Sequence, residues 1–333
     1  MGEVVQSGAY HGPVRGVRAH ECNAKNARRL FGRPQSSSRN NIALQQSAWR
    51  IPFRGYYYEV SDLSYLTFAL PLLLVAGAAA GFAGGLFGIG GGFVVVPALV
   101  ILFPVLGIES DMAAHVAVGT SLATIIFTSI RATQSHARRG AVDFDVLKSW
   151  ALWVVLGTAL GTLIADFVSG AQLALIFGAG VIAFAIYFLM PARSGEPMFA
   201  GMPTGFPRAG MAGGLGAFSA LLGIGGGTIT TLTMTVCGAP IHRAIGTASG
   251  MGAIIAVPAT IGFMIIGLGE ANLPWGSIGY VNVPAAAAII ATSVIFAPLG
   301  VAAAHRLPPG ILRRVFGLYL ITVGVTMISK ALS

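Results

Sequence analysis

The chain has 333 residues, of which 55% are hydrophobic and only 9% charged. Soluble domains carry about 25% charged residues, so composition alone excludes an ordinary soluble enzyme and implies a membrane protein. The net charge of +9 is unevenly spread: residues 1–64 hold nine basic side chains against Glu3, Glu21, Glu59 and Asp62, which leaves +4 for the rest. A high pI concentrated in this way gives no ground for a nucleic-acid partner. Two cysteines, Cys22 and Cys237, make neither a disulfide framework nor a metal-ligand set, so no metal and no cofactor are expected.

Residues 1–64 are rich in Arg and Ser, lack helical periodicity and read as a basic, disordered tail. No apolar core follows the early charges, so this is not a secretory signal. A solvated tail, an upstream extension of the natural start and a transit peptide are the open readings. From Tyr65 the chain becomes a series of apolar segments, at about 66–88, 92–106, 113–134, 147–167 and 171–190. A polar linker with proline, 191–209, separates these from a second series at about 210–224, 226–238, 243–268, 283–304 and 311–330. The runs are long and do not alternate with period two, which points to helices and not to a barrel. The expected fold is an all-α polytopic membrane protein with two internal repeats, 65–190 and 210–331, each of five short helices.

The first repeat is interrupted by Gly84-Gly85-Leu86-Phe87-Gly88-Ile89-Gly90-Gly91-Gly92, and the second by Leu221-Leu222-Gly223-Ile224-Gly225-Gly226-Gly227. Each Gly in place of Ala costs a helix interior about 1 kcal/mol, so such clusters break the helix. In hydrocarbon, irregular backbone survives only where it is buried in protein or lines a cavity. Paired breaks in the two halves point to a transport site.

Further matches follow in order. His115-Val116-Ala117-Val118-Gly119-Thr120-Ser121 lines up with His242-Arg243-Ala244-Ile245-Gly246-Thr247-Ala248, Leu160-Gly161 with Leu299-Gly300, and Phe177-Gly178 with Phe316-Gly317. Five segments per half invert the second repeat relative to the first; four, with each glycine region counted as one broken span, would not, and would move the last three arginines before Lys330 to the other face. Short cytoplasmic loops collect Lys and Arg. The inverted arrangement puts Arg131, Arg138, Arg139, Lys148, Arg193, Arg208, Arg243, Arg306, Arg313 and Arg314 on one side and only Lys330 on the other.

The run from Gly84 to Pro97, followed by Ala117-Val118-Gly119-Thr120-Ser121-Leu122, resembles the TauE/SafE sulfite-exporter family. The second copy, through Gly246-Thr247-Ala248-Ser249, fits as well, although Thr228-Ile229-Thr230 replaces Phe93-Val94-Val95 and Val-Pro is missing. The resemblance covers about residues 65–331. It implies a permease of the bacterial inner membrane for sulfur-containing anions such as sulfite, thiosulfate or organosulfonates. It fixes neither the substrate nor the direction.

Several residues are candidates for the chemistry. Freed N–H groups at Gly88, Gly90, Gly91 and Gly92, and at Gly223, Gly225, Gly226 and Gly227, would face an anion at the positive end of a helix. Close packing through small residues is the alternative. Thr120, Ser121, Thr247 and Ser249 are candidate hydroxyl donors. Thr120, Thr124, Thr128, Arg131 and Ser135 form one helical stripe, which either lines a path or bonds back to i−4 carbonyls. Arg131 is a candidate countercharge or a snorkelling side chain. His115 and His242, equivalent in the repeat, are candidates for proton coupling or for plain interfacial residues.

The leading expectation is a secondary transporter that binds a small anion within the lipid bilayer, alone or as a homo-oligomer. An anion channel, or a transporter of another small organic anion, is the near alternative. An intramembrane enzyme would show a Ser/His pair, paired aspartates or a His-Glu-x-x-His motif within a span, and none is present. A membrane scaffold leaves the duplicated breaks unexplained.

Overall fold

The computed structural model describes residues 69–105, 110–190, 201–270, 273–306 and 308–332; the tail 1–64 and part of the linker, 191–200, lie outside them. Among the described residues the chain forms ten helices. The first half gives α1 (Leu70–Phe87), α2 (Gly92–Val105), α3 (Ser110–Ala137), α4 (Phe144–Asp166) and α5 (Gly170–Leu189). The second gives α6 (Gly205–Leu221), α7 (Gly227–Val236), α8 (Ile241–Ile266), α9 (Val283–Ala304) and α10 (Pro309–Leu332). A two-residue ladder, β1 (Ser277–Ile278) against β2 (Val281–Asn282), precedes α9. The ends differ from the apolar runs by a few residues: α3 reaches 28 residues, α8 begins at Ile241 and takes in His242, and α6 begins at Gly205, inside the linker stretch.

Local chemistry sets the boundaries. Asp143 caps α4 by accepting from the N–H groups of Asp145 and Val146, and Asn282 caps α9 through Ala285. Ser169 and Gln172 close a reciprocal capping box on α5. Gly88 ends α1 in the left-handed region, its N–H donating to Gly84 O. Six helices (α1, α3, α4, α5, α8 and α9) are long and apolar enough to cross a membrane. By contrast α2 has 14 residues and α7 only 10, short of the ~20 a full span needs. These are the two helices that start at the glycine breaks.

The helices are packed through small residues, with bulk turned outward. In α4 the exposed side chains include Leu152, Leu156, Leu160 and Leu163, while Gly157, Thr158 and Gly161 are buried. Lipid is as apolar as leucine, so close backbone packing takes the place of a hydrophobic driving force. Gly77, Gly81 and Gly85 of α1 lie directly on the backbone of Ile289, Ser293 and Ala297 in α9. The register rises on both, so these helices are parallel. Gly157 and Gly161 of α4 lie in the same way on Gly213 and Ala217 of α6. The first helix of each half thus packs on the fourth helix of the other. The long helices α3 and α8 run antiparallel, Gly119 meeting Phe263 and Gly252 meeting Ser129. So do α5 and α10, Gly178 meeting Ile328 and Gly317 meeting Leu189.

One further tie follows from the prolines of α2. Pro97 and Pro104 have no N–H, which deprives the carbonyls of Phe93 and Val100 of their usual helical donors. Tyr319 Oη donates to Phe93 O and Lys330 Nζ to Val100 O, each at 3.2 Å. Both substitute donors come from α10.

The glycine seams yield a paired prediction. A Cβ on Gly161 would stand 2.7 Å from Ala217 Cα, against backbone that cannot rotate away, whereas one on the exposed Gly214 meets nothing within 4 Å. Gly161→Ala should destabilise by about 1–3 kcal/mol and Gly214→Ala should stabilise by about 0.5–1 kcal/mol. Thermal unfolding of the two variants in detergent checks the opposite signs.

Candidate functional site

The two glycine breaks meet at the centre of the bundle. Gly88, Gly90 and Gly91 have φ of 71°, 72° and 85°, and Gly223 and Gly226 have 60° and 63°, a region that L side chains rarely adopt. Gly92 lies against the carbonyl of Gly223, and Gly227 lies against the carbonyl of Gly88. The contact is reciprocal between matching positions of the two glycine motifs, and a side chain at either would drive backbone from backbone. Ser121 Oγ, buried on α3, donates to Gly223 O at 3.0 Å and fixes the second break to that helix.

The crossing sits near the midpoints of α3 and α8, between Ile125 and Ser129 on one and Gly252 on the other. α2 and α7 both start here, so their first peptide N–H groups have no acceptor within the helix. Among the described residues, the N–H groups of Gly90, Gly91, Gly225 and Gly226 donate no backbone hydrogen bond. Three hydroxyls close by are also unsatisfied: Ser129 Oγ, Ser219 Oγ and Thr228 Oγ1 are buried and have no partner. Ser129 Oγ is 3.1 Å from the position a Gly90 Cβ would take, and Ser219 Oγ 2.9 Å from that of Gly226. Buried hydroxyls in native proteins are paired in the great majority of cases, so three unpaired ones around two helix starts stand out. None of these lining groups carries a formal charge. What they can do is donate hydrogen bonds to an oxyanion, aided by two helix dipoles whose positive ends converge.

Of the residues singled out from the sequence, all eight glycines and Ser121 come to this crossing. Thr120 and Thr247 do not join them. Thr120 Oγ1 accepts from the N–H of Asn282 at 2.9 Å, and Thr247 Oγ1 accepts from the N–H of Asp143 at 2.8 Å. Each clasps a long helix of one half to the N-cap of a helix in the other, again reciprocally. Ser249 Oγ bonds back to Ile245 O at 3.2 Å. In the threonine stripe, Thr124 bonds Ser121 O at 2.7 Å, and Thr128 bonds Thr124 O at 3.0 Å and Ser293 Oγ at 2.9 Å. Arg131 is half-buried beyond this stripe and has no salt bridge among the described residues.

The two equivalent histidines lie in unlike surroundings. His115 is buried, bonds Ala165 O through Nε2 at 3.1 Å and stacks on Tyr280 at 5.0 Å, beside a small cavity that Asp166, Ser169 and Glu270 also line. His242 is exposed at the opposite end and stacks on His305 at 4.6 Å.

Sequence reasoning missed Ser129 and Ser219. Ser129 follows Ser121 by eight residues, two turns along the same face, and that spacing is the signal that identifies it. Ser219 stands four residues before Gly223, where the first half has Gly84, so the repeat itself hides it.

The profile of the family described as "Sulfite exporter TauE/SafE" matches residues 73–327. A probable membrane transporter protein of Haemophilus influenzae is 34% identical over 266 residues, 79% of this chain and 99% of that one. A probable membrane transporter protein of Methanocaldococcus jannaschii is 28% identical over 270 residues, covering 78% of this chain and 95% of the relative. Another, from Xylella fastidiosa, is 29% identical over 280 residues, covering 79% and 96%. No solved structure matches. The family match runs from α1 to α10 and takes in both glycine breaks: the chain belongs to the sulfite exporter TauE/SafE family of membrane transporters.

Proposed function

We propose that the protein is a secondary transporter of the bacterial inner membrane that moves small sulfur-containing anions, such as sulfite, thiosulfate or organosulfonates. The anion binds where the glycine breaks cross. One observation carries this reading: unpartnered buried hydroxyls stand beside free N–H groups at two helix starts. A pyramidal or tetrahedral oxyanion presents acceptor oxygens in several directions. Donors arriving from two half-helices and from Ser129 on α3 suit that shape. Binding by neutral dipoles also lets the anion leave, since no fixed countercharge has to be broken away from it.

The two halves are read as an inverted repeat, related by a pseudo-two-fold axis in the membrane plane. The antiparallel packing of counterpart helices, α3 on α8 and α5 on α10, supports this. Such a repeat gives two similar half-sites facing one another and is the arrangement in which rocking of one half against the other exposes a central site to each side in turn.

Ser129→Ala separates binding from packing. The hydroxyl has no protein partner, so its removal without anion should leave thermal stability unchanged or slightly raised. One hydrogen bond to a charged group is worth about 1.5–3 kcal/mol, so affinity should fall roughly ten- to a hundredfold. The readout is the stabilisation by thiosulfate, or by sulfite, of the purified protein. Equal stabilisation of parent and variant would place the anion elsewhere.

Topology is checked by labelling single cysteines in a cysteine-free background with a membrane-impermeant maleimide. Arg138→Cys and Arg306→Cys, which follow α3 and α9, should react from one side of the membrane. Phe167→Cys and Gly269→Cys, after α4 and α8, should react only from the other. Reaction of all four from the same side would sink the inverted arrangement.

A further inference from the structure

The end of the bundle where α3 and α9 finish and α8 begins holds three imidazoles. His136 is in the last turn of α3, His242 is the second residue of α8, and His305 is the C-cap of α9. The rings of His242 and His305 are stacked at 4.6 Å with 17° between their planes, and His136 lies 5.7 Å from His305. His136 is fully buried. Its Nε2 is 3.1 Å from the carbonyl of Gly85, so Nε2 carries the proton, and the buried Nδ1 has no partner.

The groups around the cluster are mostly basic. Arg139 follows α3 and acts on both His136 and His305. Arg138 and Arg306 flank it in the chain, while Arg243, next to His242, is paired with Asp143 at 2.8 Å. α1 contributes the Gly85 carbonyl and no titratable group. Gly85 begins the turn that leads into the first glycine break. His136 lies seven residues past Ser129, about 10 Å along α3 from the crossing.

We propose that His136, His242 and His305 form a proton-binding site that holds this end of the anion path shut while neutral and opens it when charged. A neutral cluster is compatible with stacked rings and with a His136 that needs only the Gly85 carbonyl. Protonation places like charges at ring-contact distance beside Arg139, and turns the buried Nδ1 into a charged donor with no acceptor. Parting α3, α8 and α9 relieves both, and so does an anion drawn to the cluster. The sign is consistent at His305: burial first, then His242 and Arg139, hold its pKa below the usual 6.5. A group whose pKa is depressed in the shut arrangement favours that arrangement at high pH. The shut form is therefore lost as pH falls below about 6.5. Taken with the central anion site, acid on this face would bring protons and anion to the path together; that coupling rests on the proposed transport function, but the opening itself does not.

The test uses the full chain in proteoliposomes, in a Cys22→Ser/Cys237→Ser background, spin-labelled at Arg138→Cys and Arg306→Cys. Pulsed electron-spin distances are taken at about pH 8 and about pH 5, either side of the ordinary histidine range. In the parent the distance should lengthen on acidification, and in the His136→Gln/His242→Gln/His305→Gln variant the shift should be lost. Because His136 is buried, the exposed pair His242→Gln/His305→Gln is a second variant, in which the shift should shrink. A parent whose distances ignore pH, or variants that shift as the parent does, would overturn the gate. Thermal stabilisation by thiosulfate, which stays a dianion over this range, is measured on the same proteins. Its absence from the parent would count against the anion site at the crossing and leave the gate to the distance measurement.

Discussion

A peptide group left without a hydrogen bond in hydrocarbon costs several kcal/mol, and most of this fold can be traced to that penalty. Two helices are broken, yet the irregular backbone is placed where each break covers the other. The carbonyl of Gly88 lies under Gly227, and that of Gly223 lies under Gly92 and receives Ser121. Both breaks are buried among the helices. The remaining N–H groups at the starts of α2 and α7 cannot be satisfied by helix geometry, and they are the donors on which the proposed anion site rests. A soluble protein would hand such groups to water.

The structure separates what the two halves share from what they do not. Shared features are structural: the reciprocal glycine contacts, the clasps of Thr120 and Thr247, and the glycine seams of α1 on α9 and α4 on α6. Hydroxyls at the crossing are not shared. Ser129 has Ala256 as its counterpart, Ser121 has Ala248, and Thr228 stands where the first half has Phe93. The sequence matches between the halves therefore fall on the frame, and the differences fall on the chemical groups at the crossing. The histidines follow the same rule. His115 and His242 occupy equivalent positions, but one meets a carbonyl, a tyrosine and two carboxylates while the other meets two more imidazoles.

The helices were legible because a bilayer imposes length and apolarity on every span, and the breaks because glycine clusters have no other place in such a segment. Legibility stopped at contacts between distant parts of the chain. Thr120 stands out in the sequence by its repetition in both halves, but that its Oγ1 accepts from the N–H of a residue 162 positions away is not legible there. Thr247 and Asp143 are 104 apart, and Ser121 and Gly223 are 102 apart. Ser129 was passed over for the opposite reason: its importance comes from having no protein partner, and sequence pattern has no means of recording an unmade bond. His136 and His305 were likewise invisible until three helix ends were brought to one place.

The way α10 completes α2 has a bearing on how the chain is assembled during synthesis. When α2 leaves the ribosome, the Tyr319 and Lys330 donors that bond the carbonyls of Phe93 and Val100 have yet to be made, more than 200 residues further along the chain. α1 emerges long before α9, the surface on which its glycines rest. The first half is thus unable to finish its own hydrogen bonding or packing and must persist in the membrane in a provisional state until the last helix arrives. Neither half is a self-sufficient folding unit, and a chain truncated before α10 would leave the α2 carbonyls without the two donors that α10 brings.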